Sequence, residues 1–336
     1  MAPAQAFRPR PAPARVRDGV WAIASPIPGG PPPYTLTYVL EGSDGIRIVD
    51  PGWSGEANLR ALRSSLADIG FALHDVRAVV ATHHHPDHLG IAPRLRELSG
   101  ARIIMSADER TVLAHQVRPE RRDPRLYRLQ LEAWGVPDDR QGDMIRSFTD
   151  GPPLILDVEP DAVVGDGDEL DWPGHSLRVV MTPGHTDGHL CLVDADRAVV
   201  YTGDHVLPGI NSGIGLGTLG RSNPLADYLA SLERLAPYDD WLILPGHEQP
   251  FEGLRARRAV LTAHHLRRTA EVMRLLPELG EATVWEYASR LPWTAGWSGL
   301  RGFGLHSALL QTERHLVLVR EGHAEDLLGR VADAQG

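Results

Sequence analysis

Histidine and aspartate residues follow four separate predicted strands, and this arrangement constrains the fold more than any other feature of the chain. The first group lies within six residues, directly after the short apolar run 78–81, and consists of His83, His85, Asp87 and His88. Three later positions, each preceded by glycine, are His185, Asp204 and His247. Side chains at four strand ends can act together only if the strands end at one edge of a β core. The sequence therefore predicts a site at such an edge.

The pattern around these positions predicts two stretches in which strands are followed by helices. In the first, residues 20–24, 35–40 and 46–50 are predicted strands and 56–69 is a predicted helix. Residues 108–145 are predicted to be helical, with a break at 135–137. In the second, strands are predicted at 176–182, 190–194, 198–202 and 241–244, and a helix at 224–235. One long helical pattern, 254–276, opens the remainder of the chain.

Composition excludes several classes of function. The chain has 336 residues, 42% of them hydrophobic, which is enough for a buried core. All 34 basic residues are arginine, so no lysine can act as Schiff base, phosphate ligand or general base. A net charge of −10 argues against nucleic acid and anionic membranes as partners. The single Cys191 cannot form an internal disulfide, and the absence of a long apolar run predicts a cytoplasmic protein without a membrane span.

The residue types at the four strand ends favour metal binding. Neutral imidazoles and carboxylates that converge on one point are typical ligands of divalent ions, and glycine lets the backbone approach such a site closely. Taken alone, the tract 83–88 is weak evidence, because a solvated loop is the alternative explanation. Four strand ends that offer the same chemistry make that alternative a poor explanation.

The motifs HxHxDH, TPGH, TGDH and PGH, in this order, resemble those of the metallo-β-lactamase-fold hydrolase superfamily. The resemblance covers about residues 20 to 251. It implies an α+β protein, an αββα sandwich with two metal ions at one sheet edge. It also implies that His83, His85 and His185 bind one ion, that Asp87, His88 and His247 bind the other, and that Asp204 bridges both.

The resemblance also implies a reaction. Two divalent ions, zinc in the first place and iron or manganese as alternatives, would generate a hydroxide that attacks a carbonyl carbon, with Asp87 as the catalytic residue that orients it and moves its proton. Members that hydrolyse β-lactams usually lack the aspartate at the position of Asp204. We therefore expect a small-molecule thioester, ester or lactone substrate, as in glyoxalase II.

Three alternatives remain open at this stage: a phosphodiesterase or nuclease of the same fold, a true β-lactamase, and a nucleic-acid-binding regulator that uses the C-terminal region. The net charge and the absence of a basic nuclease-type domain count against a nuclease. A complete ligand set is poor support for a regulator with a vestigial metal site.

Other residues are predicted to lie near the site. They are Asp50, His84, His189, His205, His264 and His265. Asp50 resembles the buried aspartate below the metals in this superfamily, although a turn-opening role before Pro-Gly explains it equally well. The glycine-rich loop 207–216 and aromatic residues such as Trp134 and Phe303 could contact an acyl group, but core packing is the simpler role for each aromatic ring.

The chain is predicted to have three parts. Residues 1–16 form a disordered or extended tail, 17–251 the metallo-β-lactamase-fold catalytic domain, and 252–336 a small helical, winged-helix-like domain. Between residues 255 and 320 ten arginines face five glutamates. We predict that this region covers the site or forms a contact in a homodimer, and that its arginines pair with the acidic body.

Overall fold

Two β-sheets lie face to face, and helices cover both outer faces. The structure is a computed structural model that describes residues 10–30, 32–117, 123–149, 157–220, 222–294, 296–322 and 324. Within these residues the first sheet has seven strands in sequence order, β1 (Ala14–Arg17), β2 (Val20–Pro26), β3 (Tyr34–Gly42), β4 (Gly45–Val49), β5 (Val76–Val80), β6 (Arg102–Ser106) and β7 (Ala162–Val164). Strands β1 to β4 pair antiparallel, and β4 to β7 pair parallel.

The second sheet follows in the chain and has a different strand order. Its described strands are β8 (Glu169–Trp172), β9 (His175–Met181), β10 (Leu190–Asp194), β11 (Val199–Gly203) and β12 (Leu242–Pro245). Their order in space is β12-β11-β10-β9-β8. Strands β11 and β12 are parallel, so both end at the same edge of the sheet.

The helices are short except for two near the C-terminus. They are α1 (Glu56–Asp68), α2 (Pro86–Leu89), α3 (Ala92–Ser99), α4 (Ala107–Gln116), α5 (Pro124–Ala133), α6 (Asp138–Thr149), α7 (Pro224–Arg234), α8 (Leu254–Leu279), α9 (Val284–Arg290) and α10 (Gly302–Arg320). None of the helices in the described part of the chain is long and apolar enough to cross a membrane.

Alternation along the strands explains why two sheets stack between helices. Leu190 and Leu192 of β10 point into the core between the sheets, whereas Cys191 and Val193 point outward and pack under α7 and α8. Leu62 and Leu66 of α1 cover the outer face of the first sheet in the same way. A sheet buried on both faces reads as a continuous apolar run, as β10 does. The predicted αββα sandwich is confirmed.

The first sheet begins close to the N-terminus. Strand β1 begins at Ala14 and pairs with β2, so the first sheet includes three residues that were assigned to the tail. The strand alternates Ala14 and Val16 with two arginines, and none of its four residues is buried. Residues 1–9 of the predicted tail lie outside the described residues.

The C-terminal region is helical, as predicted, but it is packed into the rest of the molecule. Leu254 and Leu261 of α8 belong to the core under the second sheet, and Leu305 and Leu309 of α10 share a core with Trp134. Among the residues that the structure describes after 254 there are helices and 3₁₀ turns but no strand. The described part of this region therefore lacks the β-strands that form the wing of a winged-helix domain, and the predicted likeness is not confirmed.

Candidate metal centre

Four loops at one edge of the sandwich carry the predicted ligands. Strand β5 ends at Val80, and the chain then turns through the tract 82–85 into α2, whose first residue is Pro86. Proline suits the first helical position because its missing N–H would have no intrahelical partner there. Helix α2 presents Asp87 and His88. The loops after β9, β11 and β12 present His185, Asp204 and His247.

Three imidazoles converge to form the first group. His83 Nε2 lies 2.9 Å from His85 Nδ1, and His185 Nε2 lies 3.1 Å from the same atom. These three nitrogens form one of the clusters that could hold a metal ion.

The second group lies beside the first and shares Asp204 with it. Asp204 Oδ1 is 3.3 Å from His88 Nε2 and 3.2 Å from His247 Nε2. Its other oxygen, Oδ2, is 3.8 Å from His185 Nε2. Asp87 Oδ2 completes the second group at 3.3 Å from His247 Nε2. The carboxylate of Asp204 therefore stands between the two groups with one oxygen turned to each.

The hydrogen bonds of the five histidines fix which nitrogen faces the centre. His185 Nδ1–H donates to Gly213 O at 2.7 Å, His85 Nε2–H to Leu216 O at 2.8 Å, and His247 Nδ1–H to Tyr34 O at 2.9 Å. Likewise, His88 Nδ1–H donates to Asp50 Oδ2 at 2.8 Å, and His83 Nδ1 bonds Thr82 Oγ1 at 3.0 Å. Metal-binding histidines are typically held in this way, through the ring nitrogen that does not bind the ion.

Burial and charge act differently on the two groups. Burial and the neighbouring histidines hold the pKa of His83 and His85 well below the usual value, so both rings are neutral, the form that binds metals. Burial also opposes a charge on His247, but the carboxylates of Asp204 and Asp87 raise its pKa to about 10. The carboxylates of the second group thus favour positive charge beside them, which a bound metal cation can supply in place of the ring proton.

The donor set fits divalent metal ions. His88 Nε2 and Asp204 Oδ1 are buried and have no hydrogen-bond partner among the described residues. Such atoms are costly unless a ligand satisfies them. Gly246 leaves room at this place, since a Cβ there would lie 2.5 Å from Asp204 Oδ1 and 2.7 Å from His88 Cε1. Imidazole and carboxylate donors in this number suit zinc, and also iron or manganese.

Asp50 and His189 lie directly behind the ligands, as predicted. Asp50 is buried and accepts hydrogen bonds from the amide and hydroxyl of Thr82, both at 2.8 Å, in addition to the one from His88. Its φ of 53° is a left-handed value that aspartate tolerates better than most residues. His189 Nε2 accepts a hydrogen bond from the amide of Asp204 at 3.2 Å. Both residues hold ligands in place.

His84 also lies beside the site, as predicted: it lines the cavity at the centre, its ring is 4.9 Å from that of His85, and its ring and its amide bond Glu109. The other three predicted neighbours do not reach the centre. His205 is buried against the ring of Tyr228. His265 lies beyond that tyrosine, with its ring 5.3 Å from the tyrosine ring, and His264 is its neighbour in α8. Neither His264 nor His265 lines the cavity at the centre, although both were predicted near its mouth.

Glu109 has a structural role that the sequence analysis missed. It is fully buried at the start of α4, where it accepts hydrogen bonds from the amide of His84 and from that of Gly188, both at 2.9 Å, and from Thr186 Oγ1 at 2.5 Å. One carboxylate thus joins the loop of His83 and His85 to the loop that follows His185. The contact with His84 and these hydrogen bonds outweigh burial and keep the pKa of Glu109 below its usual value.

A cavity of about 980 Å³ opens onto the centre. Its wall includes the predicted loop, through Leu207, Ile210 and Leu216, and the exposed ring of Phe303. Trp134 is buried in the helical core instead. Arg257 of α8 holds the loop by donating hydrogen bonds to Leu207 O at 2.6 Å and Ile210 O at 2.5 Å. The N-terminal end of α8 therefore supports the wall of the cavity.

Sequence comparison agrees with this geometry. The sequence model of the metallo-beta-lactamase superfamily matches residues 30–247. A probable metallo-hydrolase of Bacillus subtilis (strain 168) is 28% identical over 262 residues, which are 72% of this chain and 76% of the relative. A hydroxyacylglutathione hydrolase of Pseudomonas putida is 28% identical over 236 residues, 69% of this chain and 68% of the relative.

Solved structures extend the similarity beyond the sandwich. A metallo-beta-lactamase family protein of Thermus thermophilus has a TM-score of 0.75 at 30% identity, over 92% of this chain and 95% of its own. A beta-lactamase domain protein of Burkholderia ambifaria has a TM-score of 0.72 at 27% identity, over 95% of this chain and 92% of its own. Coverage above nine-tenths means that the matches include C-terminal helices as well as the sheets.

Proposed function

This chain belongs to the metallo-beta-lactamase superfamily of metal-dependent hydrolases, and we propose that it cleaves the thioester bond, or a related ester or lactone bond, of a small acyl substrate. The observation that carries the proposal is the position of Asp204 between two groups of histidines. Relatives named hydroxyacylglutathione hydrolases support a thioester, because an acylglutathione carries its acyl group on sulfur.

The chain has the residues to hold two metal ions. His83, His85 and His185 would bind one ion, Asp87, His88 and His247 the other, and Asp204 both. Bound there, two zinc ions would supply an activated water and stabilise the negative charge that develops on the carbonyl oxygen.

Asp87 is the residue that we assign to proton transfer. Its side chain is 17% exposed, and it lines the cavity, whereas Asp50 behind the centre is sealed off. The pKa of Asp87 stays low, because the nearby His88 and His247 outweigh the effect of burial. An ionised carboxylate at this place accepts the proton of the attacking water and returns it to the leaving sulfur. Water adds to the carbonyl carbon, the carbon–sulfur bond breaks, and an acid and a thiol are released.

The cavity suits a small acyl compound. Its volume falls within the range of small-molecule sites. Leu207, Ile210 and Leu216 give its wall an apolar surface next to the histidines, on which an acyl chain can pack. Because water is the nucleophile, the mechanism needs no serine or cysteine for this role. Cys191 is also unsuited to it, since burial raises the pKa of its thiol to about 12.

The test compares substrates and variants of the metal-loaded enzyme. We expect chelation to abolish hydrolysis of an acyl thioester, zinc to restore it, and Asp204→Asn to remove it. Asp196→Asn, at an exposed position, is the matched control and should keep full activity. A cephalosporin, a carbapenem and bis-p-nitrophenyl phosphate complete the panel. Turnover of any of these three above that of thioesters, esters and lactones would overturn the proposal.

A further inference from the structure

One face of α10 forms a wall of the cavity that the mechanism does not use. Phe303, His306, Ser307, Leu310 and Arg314 line the cavity and are spaced three or four residues apart along one side of the helix, apart from the adjacent pair 306–307. The predicted metal ligands all come from α2 and from the loops at the edge of the two sheets. The helix wall can therefore contact parts of the substrate that lie away from the bond that breaks.

Arg314 is the unusual residue on this wall. Its side chain is only 20% exposed, and its Nε is buried and donates to no acceptor among the described residues. Its ion pair is with the adjacent Glu313, whose Oε2 lies 3.7 Å from Nη1. Adjacent residues on a helix do not face each other, so this contact leaves the guanidinium poorly neutralised. Glu313 also serves another group, since its Oε1 accepts the hydrogen bond of Trp134 Nε1 at 2.8 Å.

A single loop, residues 213–216, separates Arg314 from the metal centre. A Cβ on Gly215 would be 3.1 Å from Arg314 Nε, so the guanidinium rests against the backbone of this loop. The same loop accepts the hydrogen bonds of His185 and His85 through the carbonyls of Gly213 and Leu216. A substrate whose carbonyl reaches the metal centre can thus extend along the loop to the arginine.

The charged residues around the cavity indicate which kind of anionic group Arg314 would bind. Arg314 is the single arginine among the described residues that line it. His306 carries no charge at neutral pH, because burial lowers its pKa to about 4. Asp123 is already paired, with its Oδ2 2.6 Å from Arg125 Nη2. One guanidinium with a planar fork matches one carboxylate, whereas a phosphate dianion usually needs further cations.

We propose that Arg314 binds a carboxylate of the substrate, so that the enzyme acts on acyl compounds that carry a carboxylate remote from the scissile carbonyl. The inference rests on the proposed function, because it takes hydrolysis at the metal centre as given. Leu216 and Leu310 line the same cavity and provide an apolar surface for the carbon chain that joins the two groups.

The test uses pairs of thioesters that differ only in charge. Each pair consists of a thioester with a free carboxylate and the same thioester with that carboxylate as its methyl ester. In the first pair this group lies at the end of the acyl chain, and in the second pair it lies on the thiol half. The pair with the larger charge preference identifies which half of the substrate reaches Arg314. We expect the full-length, zinc-loaded enzyme to prefer the charged member of one pair by about tenfold to a hundredfold in kcat/KM, the range of a charged hydrogen bond.

Two variants assign that preference to the arginine. Arg314→Met should lower kcat/KM for the charged member by the same factor and change the methyl ester less than threefold. Arg314→Lys keeps the charge without the fork and should retain an intermediate preference. Arg274→Met, at an exposed position of α8, is the control and should change nothing. Circular dichroism and metal content show that each variant is folded.

A binding measurement separates this inference from the proposed function. Calorimetric titration with a thioether analogue, in which CH₂ replaces the carbonyl, reports the charge preference without turnover. If the wild type binds the carboxylate form of the analogue more tightly than its methyl ester but hydrolyses no thioester, the proposed function fails and the carboxylate site stands. If it hydrolyses both members of each pair equally, or binds a phosphorylated analogue more tightly than the carboxylate, the inference is wrong.

Discussion

Replacing Glu109 with glutamine tests how the metal-binding loops are held together. The wild-type carboxylate accepts hydrogen bonds from two backbone amides, a threonine hydroxyl and the ring of His84, all within the protein interior. Glutamine keeps the size of the side chain, but its NH₂ group cannot accept a hydrogen bond. In the wild type, Oε1 accepts hydrogen bonds from Thr186 and Gly188, and Oε2 accepts them from the amide and the ring of His84. In either orientation of the glutamine side chain, its NH₂ group therefore faces two donors.

The expected loss follows from these contacts. A buried donor left without an acceptor costs about 1–3 kcal/mol, so two such donors lower the free energy of unfolding by about 2–6 kcal/mol. Groups that hold metal ligands typically change metal affinity by about tenfold to a hundredfold when they are mutated. Because the loop of His83 and His85 and the loop after His185 are released together, we expect the three-histidine group to lose affinity first.

Two measurements check this expectation. Urea denaturation of the metal-free protein gives the free energy of unfolding, and competition with a chromogenic chelator gives the metal affinity. Glu97→Gln is the matched control, since Glu97 on α3 is 63% exposed and pairs only with Arg94 among the described residues. Its effect should stay within about 0.5 kcal/mol. A loss below about 1 kcal/mol in Glu109→Gln together with unchanged metal affinity would refute the reasoning.

Further predictions address the ligands, the space at the centre and the pH dependence of stability. Asp204→Asn should leave less than one metal per chain, whereas His247→Ala should empty mainly the second group, as elemental analysis would show; equal losses in both variants would contradict the bridging role. Gly246→Ala should lower metal content, because its methyl group would occupy the space beside Asp204 Oδ1, while Gly304→Ala, which meets nothing within 4 Å, should not. Burial lowers the pKa of His265 to about 3, so the unfolded chain binds a proton that the folded protein excludes, and stability falls as the pH drops below about 6.5. His265→Leu should reduce the loss between pH 7 and pH 4 by about 3 kcal/mol in urea titrations; a loss as large as in the wild type would argue against a neutral buried ring.

The positions of the predicted ligands followed from local signals. They lie shortly after apolar strands. In the second sheet β9, β11 and β12 end at one edge, because β11 and β12 are parallel and β9 and β11 are both antiparallel to β10. Strands β7 and β8 lacked such a signal. They have three and four residues, and their register is imposed by β6 and β9. Short strands of this kind depend on neighbours that are distant in sequence.

The misplaced histidines have a geometric cause. A helix rises about 1.5 Å per residue, so His264 lies about 15 Å along α8 from Leu254. The helix starts beside the centre, but its length carries both histidines away from it.

Glu109 illustrates a second limit of the sequence. It stands three residues after Ser106, in a pattern that predicts a capping box in which the glutamate turns back to its own helix. Ser106 does accept the hydrogen bond of the Glu109 amide at 3.0 Å. The carboxylate, however, bonds loops that follow β5 and β9, a use that only the tertiary structure reveals.

The division of the ligands between the two sheets has a consequence for unfolding kinetics. His83, His85, Asp87 and His88 follow the first sheet, while His185, Asp204 and His247 follow the second. The site is therefore complete only when both sheets have docked, late in folding, since contacts between residues so far apart in sequence require closure of long loops. An ion bound to such contacts stabilises the native state more than the transition state, so it slows unfolding and leaves the folding rate almost unchanged. Bound metal would thus increase the kinetic stability of the sandwich.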